Sequence, residues 1–139
     1  MAITQGLCTS FKAELFEGIQ ALESDTLKIA LYTSNATLSA DTTAYSTTEE
    51  VTGTGYTAGG NTLSGVTISS SGTTAFVDFA DTTWSTATIT ARGALIYNSS
   101  KANRAIAVLD FGSDKVTAGG DFTIQIPAAD ASSALIRIQ

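Results

Sequence analysis

The chain has 139 residues, of which 43% are hydrophobic and only 14% charged, enough apolar material for one self-sufficient core in a single domain, residues 1–139. Thirteen acidic residues against seven Lys and Arg give a net charge of −6; tight nucleic-acid binding takes clustered cations, so no direct nucleic-acid partner is expected. The absence of histidine removes the usual general base, metal ligand and partner of a catalytic nucleophile, and the one cysteine, Cys8, cannot close an intrachain disulfide.

No basic start leads into an apolar run, and no apolar stretch is long enough to cross a bilayer. The sequence therefore reads as a soluble chain made in the cytoplasm, without a membrane partner. Its polar surface is rich in Thr and Ser, and β-branched Thr fits a pleated, half-buried position, which favours sheet over helix.

Phe11, Leu15, Ile19 and Leu22 recur at helical spacing, with Thr9 or Ser10 available as N-cap. An amphipathic helix is expected over about residues 10–22, weakened by Gly18 and dependent on docking of its apolar face. Residues 1–7 have no periodicity of their own and are expected to be a contact arm. From Leu27 the period changes to two: Leu27, Ile29 and Leu31 alternate with Lys28, Ala30 and Tyr32, the pattern of a strand with one buried face. Residues 33–60 then have few apolar anchors and read as a long loop, functional or mobile.

Short apolar runs follow: Leu63 to Ile68, Ala75 to Phe79, Thr88 to Tyr97, Ala105 to Phe111, Phe122 to Ile126 and Ala134 to Ile138. Turn residues separate them at Ser69 to Gly72, Asn98 to Ser100, Gly119-Gly120 and Ala129-Asp130, and Pro127 closes the Phe122 run. Strands at this spacing without intervening helices predict a mainly β protein, an antiparallel β-sandwich or jelly-roll-like barrel with one N-terminal amphipathic helix. The echo between Thr57-Ala58-Gly59-Gly60-Asn61 and Thr117-Ala118-Gly119-Gly120-Asp121 reads as two hairpin turns using glycine at positive φ.

The Gly53 to Gly60 run lacks the flanking strand and helix, and the Lys-Ser/Thr pair, of a phosphate-binding loop, and is taken as a glycine-rich surface loop or bulge. Asp78, Asp81 and Asp110 lie on or beside predicted strands, where paired carboxylates could serve as acid and base; alternation turns Asp78 and Asp110 toward solvent instead. No calcium-loop spacing appears. Arg92 is read as a paired structural cation and Cys8 as a small buried apolar residue; in the alternative of a carbohydrate-binding module, Trp84, Tyr56 or Tyr97 would be the stacking platform for a sugar. Asn35-Ala36-Thr37 and Asn98-Ser99-Ser100 match the glycosylation acceptor pattern, which has no meaning without a secretory route. No catalytic, cofactor-binding or metal-binding residue is assigned, and no enzyme activity is expected.

The opening Met1 to Lys12, Leu27 to Thr33, Gly53 to Gly60, Thr90 to Tyr97 and Val108 to Gly112, in this order and spacing, together resemble a family of small structural proteins of tailed bacteriophages. The likeness spans nearly the whole chain. It implies a virion protein on the capsid surface, a decoration or cement protein binding the major capsid protein and stabilising the head exterior. It also implies a homotrimer, matched to threefold positions of a shell. A tail, fibre or host-recognition part of the particle is the alternative within the same likeness, and a carbohydrate-binding module is the alternative outside it.

Overall fold

The computed structural model describes residues 2–127 and 134–138. It is 50% strand and 6% helix, and every pairing between its strands is antiparallel. Strands Gly6–Leu7 (β1), Leu27–Tyr32 (β2), Asn61–Thr62 (β3), Thr82–Asn98 (β6) and Arg104–Ile124 (β7) make a five-stranded sheet in the order β1-β7-β6-β2-β3. Strands Thr67–Ser71 (β4), Thr74–Asp78 (β5) and Ile136–Ile138 (β8) make a second sheet in the order β4-β5-β8. Val77 and Ile136 of the small sheet join Leu27, Ile29, Leu95 and Ile106 of the large one in a common core, an open sandwich-like arrangement.

The helix is shorter than its periodicity suggested. It spans Thr9–Phe16 (α1), with Cys8 as an N-cap that makes no side-chain capping bond, so neither Thr9 nor Ser10 serves as the cap. Gly18, at φ +73°, does not weaken a helix interior but ends the helix. The Ile19 N–H donates to the Glu14 carbonyl at 3.0 Å and the Gly18 N–H to the Leu15 carbonyl at 3.3 Å, the paired bonds of a Schellman stop. Leu22 still reaches the core from the turn that follows, whereas Phe16 is 94% exposed.

The first residues are not a free arm. Ile3 is buried and bridges to Leu38, the Thr4 N–H donates to the Leu38 carbonyl at 2.9 Å, and β1 pairs with β7. β2 is buried on both faces rather than one: its Ala30 and Tyr32 are as enclosed as Ile29 and Leu31.

The turn at Asn98 to Ser100 forms, joining β6 and β7 as one long hairpin. Gly119-Gly120 is no turn: Ala87 pairs with Gly120 and Thr88 with Ala118, so Gly119, at φ +72°, is the extra residue of a bulge. The two strands expected on either side of it are one strand, and the echo with residues 57–61 has no structural counterpart. The run expected from Leu63 to Ile68 is also redrawn, since β4 begins at Thr67 and the turn falls at Gly72-Thr73. The turn expected at Ala129-Asp130 lies outside the described residues.

A polar network fastens α1 and its following turn to the tip of the β6–β7 hairpin. Arg104 Nη1 lies 2.8 Å from Glu14 Oε2, Gln20 donates to Glu14 Oε1 at 2.9 Å, and Asn98 Nδ2 donates to Gln20 Oε1 and Asp25 Oδ2 at 2.8 and 2.7 Å. Burial opposes ionisation of Asp25, but bonds from Asn98, the Ala21 N–H and Lys101 outweigh it and hold the carboxyl below its ordinary range.

Candidate interaction surfaces

Residues 33–60 contain no named strand, in keeping with the expected loop, yet the segment is fastened along its length. Ala36, Leu38 and Val51 are buried, the Thr33 N–H donates to the Glu49 carbonyl at 3.0 Å, and the Val51 N–H donates to the Leu31 carbonyl at 2.9 Å. The centre of this attachment is Glu50, a buried carboxylate about which all four tyrosines of the chain gather.

Tyr45 donates its hydroxyl to Glu50 Oε1 at 2.6 Å, Tyr56 donates to Oε2 at 2.5 Å, and the Gly59 N–H donates to Oε2 at 2.8 Å. Tyr97 donates to the Gly59 carbonyl at 2.7 Å, Tyr32 to the Ser46 carbonyl at 2.6 Å, and the rings of Tyr45 and Tyr97 stack with centroids 4.6 Å apart. Burial raises the pKa of all four phenols, that of Tyr97 to about 12, and the Glu50 charge pushes in the same direction. A buried charge with three donors is satisfied; the same charge with fewer would be costly.

The glycine run between Gly53 and Gly60 is a loop, as expected, and its glycines are there for close approach to the sheet. A Cβ on Gly60 would lie 1.8 Å from the Ile29 carbonyl oxygen, and one on Gly53 2.4 Å from that of Thr88. The backbone thus runs directly alongside the backbones of β2 and β6, with Thr54 bridging to Thr88.

The candidate sugar platform is not assembled. Trp84 and Tyr97 are buried, Trp84 against Tyr56 and Phe122, and the hydroxyl of half-buried Tyr56 is committed to Glu50 and to the Leu31 N–H. Arg92 is paired as expected, its Nε 3.2 Å from Asp110 Oδ1. Asp110 and Asp78 are half-buried rather than freely solvated. The Gly112 N–H and then Arg92 hold the Asp110 carboxyl below its usual range, and Asp81 accepts the Ile126 N–H at 2.7 Å. Asn98 is 0% exposed, which closes it to a glycan; Asn35 is exposed. Cys8 is fully buried, and burial pushes its thiol up to about 11. Among the described residues no three His, Cys, Asp or Glu side chains gather in a metal-binding group, and no helix is long and apolar enough to cross a membrane.

The large apolar side chains left outside the core are Phe16, Ile68, Val116 and Ile138, among the described residues. Ile68 and Ile138 border an open groove of about 320 Å³ that also touches Phe11 and Leu15 of α1. Val116 borders a larger one of about 510 Å³ along β7, with Phe111, Phe122 and Leu135. Residues of this kind are where a partner would be covered. Compared with known proteins, the chain matches no family model, no curated protein and no solved structure.

Proposed function

We propose that the protein is a structural component of a tailed-bacteriophage particle, a decoration protein that binds the major capsid protein and stabilises the head exterior. The observation that carries this reading, beside the sequence resemblance, is the fastening of residues 33–60 by Glu50 and the tyrosines. It turns a Thr- and Ser-rich excursion, which would otherwise have to be ordered on binding, into a preorganised surface. Preorganisation lowers the entropic cost of association, and that cost is what a protein binding repeatedly over a shell must keep small. The work is mechanical rather than chemical: a rigid antiparallel body bridges neighbouring capsid subunits and no bond in a substrate is made or broken. A homotrimer at threefold positions is part of the proposal, since matching the shell's symmetry lets each copy add to the avidity of the others.

Sedimentation of purified particles through a density gradient, followed by quantitative mass spectrometry, tests the proposal. A decoration protein travels with the particles in a fixed, near-stoichiometric ratio to the major capsid protein. A ratio of only a few copies per particle points to a tail or fibre part, and absence from the particle band overturns the virion reading.

A further inference from the structure

Phe16 is the most exposed large apolar side chain among the described residues, at 94%, and it is held in place. It stands in the last turn of α1, where the Glu17 N–H donates to the Ala13 carbonyl at 3.1 Å and the Schellman bonds around Gly18 fix the end of the helix. A solitary exposed apolar residue needs no explanation. A rigid aromatic next to an open apolar groove is another matter, because aromatic side chains are what the centres of protein interfaces are enriched in.

The groove of about 320 Å³ begins at Leu15, the residue before Phe16. Buried Phe11, Leu22, Val77 and Ile136 line its depth, and Ile68 and Ile138, 46% and 47% exposed, stand at its rim. A cavity of about 150 Å³ takes a benzene, so there is room here for a benzyl side chain. Phe16 does not enter the groove of its own chain. The charges beside the two features are complementary. Lys12 lies one turn before Phe16 on the same side of α1, whereas Glu17, next in the chain, falls on another side. Glu23 is the one charged residue among those described that line the groove. Lys12 and Glu23 are both exposed, and neither has an ion-pair partner among the described residues.

We infer that Phe16 of one copy of this chain seats in the groove of a neighbouring copy, with Lys12 beside the neighbour's Glu23. One contact then covers Phe16, Ile68 and Ile138, three of the four large apolar side chains left outside the core among the described residues. In a chain of net charge −6, copies attract one another where a lysine of one meets a glutamate of the next. Phe16 and the groove adjoin on each molecule, so a symmetry axis beside the end of α1 lets every copy give one phenylalanine and receive one. Two copies satisfy this about a twofold axis and three about a threefold axis. The expected count of three rests on the trimer proposed above; the joint itself does not.

The test uses the full chain. Light scattering of the unaltered protein should give two or three times the 14.3 kDa chain mass, three if the trimer holds. Phe16→Ser should reduce that mass to one chain with the circular dichroism unchanged, because Phe16 supports nothing within its own chain. At dilutions where copies separate the two proteins should melt alike, since assembly adds stability only by mass action. Lys12→Glu and Glu23→Lys should each lower the mass at a dilution where the unaltered protein stays whole, and the two changes together should restore it. With p-benzoyl-phenylalanine in place of Phe16, illumination should join one chain to another through residues 20–24 or 75–77. A single-chain mass for the unaltered protein, an unchanged mass for Phe16→Ser, no recovery in the double charge reversal, or cross-links to the groove along β7 instead overturns the joint. None of these results bears on whether the protein travels with particles, so failure here and failure of the virion reading remain separate.

Discussion

The Tyr56 hydroxyl donates to Glu50 Oε2 at 2.5 Å while its oxygen accepts the Leu31 N–H at 2.9 Å, so one phenol links the buried carboxylate to the backbone of β2. Through this pair the excursion over residues 33–60 is tied to β2 of the large sheet.

Removing the carboxylate should therefore loosen the loop from its support. Glu50→Ala leaves the Tyr45 and Tyr56 hydroxyls and the Gly59 N–H without their acceptor, at an expected cost of about 3 to 5 kcal/mol. Glu50→Gln keeps one acceptor oxygen and should cost less. Urea unfolding measures both; a loss below about 1 kcal/mol for Glu50→Ala would show that the cluster is not what holds the segment.

The same cluster predicts an alkaline limit. Folding raises the pKa of all four tyrosines above the ordinary value of 10.0. Above about pH 10 the unfolded chain gives up phenolic protons that the folded chain keeps, so the unfolded state is favoured as pH rises. The stabilisation is complete below pH 10 and is lost on the way up through the folded values. Melting temperature should hold to about that pH and then fall, with tyrosinate absorbance appearing together with unfolding. Tyrosinate that forms near pH 10 in a still-folded protein would contradict the burial described here.

Two glycines with similar backbone angles should behave differently. Gly60 at φ +77° has no room for a Cβ against Ile29, whereas Gly72 at φ +61° faces open space. Gly72→Ala should cost only the left-handed penalty of about 1 to 2 kcal/mol, and Gly60→Ala clearly more. Equal losses, read from thermal melts, would mean that the glycine run is not pressed on β2.

At the N-terminus, removal of residues 1–6 takes away Ile3 and half of β1, so the melting temperature should fall rather than stay level. Phe11→Ala should cost about 3 to 5 kcal/mol through a core cavity, and Phe16→Ala close to nothing, since Phe16 projects into solvent. Similar losses for the two phenylalanines would contradict a helix that ends at Gly18.

These cases also mark what could be read from the residues alone. Strand alternation at Leu27 to Leu31 and the turn at Asn98 to Ser100 are local signals, and the antiparallel β class followed from them. Gly18 was legible in principle, because a glycine one turn past Phe11 and Leu15 marks a helix end as readily as a weak interior. Gly119-Gly120 was not, since a bulge and a turn use the same residue and only the partner strand distinguishes them. The Glu50 cluster escaped notice because its tyrosines lie at positions 32, 45, 56 and 97, and no local pattern brings them together. One signal was present: Glu49-Glu50 is a pair of charges in a segment otherwise nearly free of them, and one of the two is buried. The aromatic residues read as a platform were misjudged for the same reason, being visible as residue types but not as packed side chains.

The most direct measurement of the central claim is the position of the protein on intact particles. Gold-labelled antibodies raised against the purified protein, viewed by electron microscopy, should decorate the whole shell of the phage head. Label confined to the tail would contradict the capsid assignment, and label on no part of the particle would contradict the virion role itself.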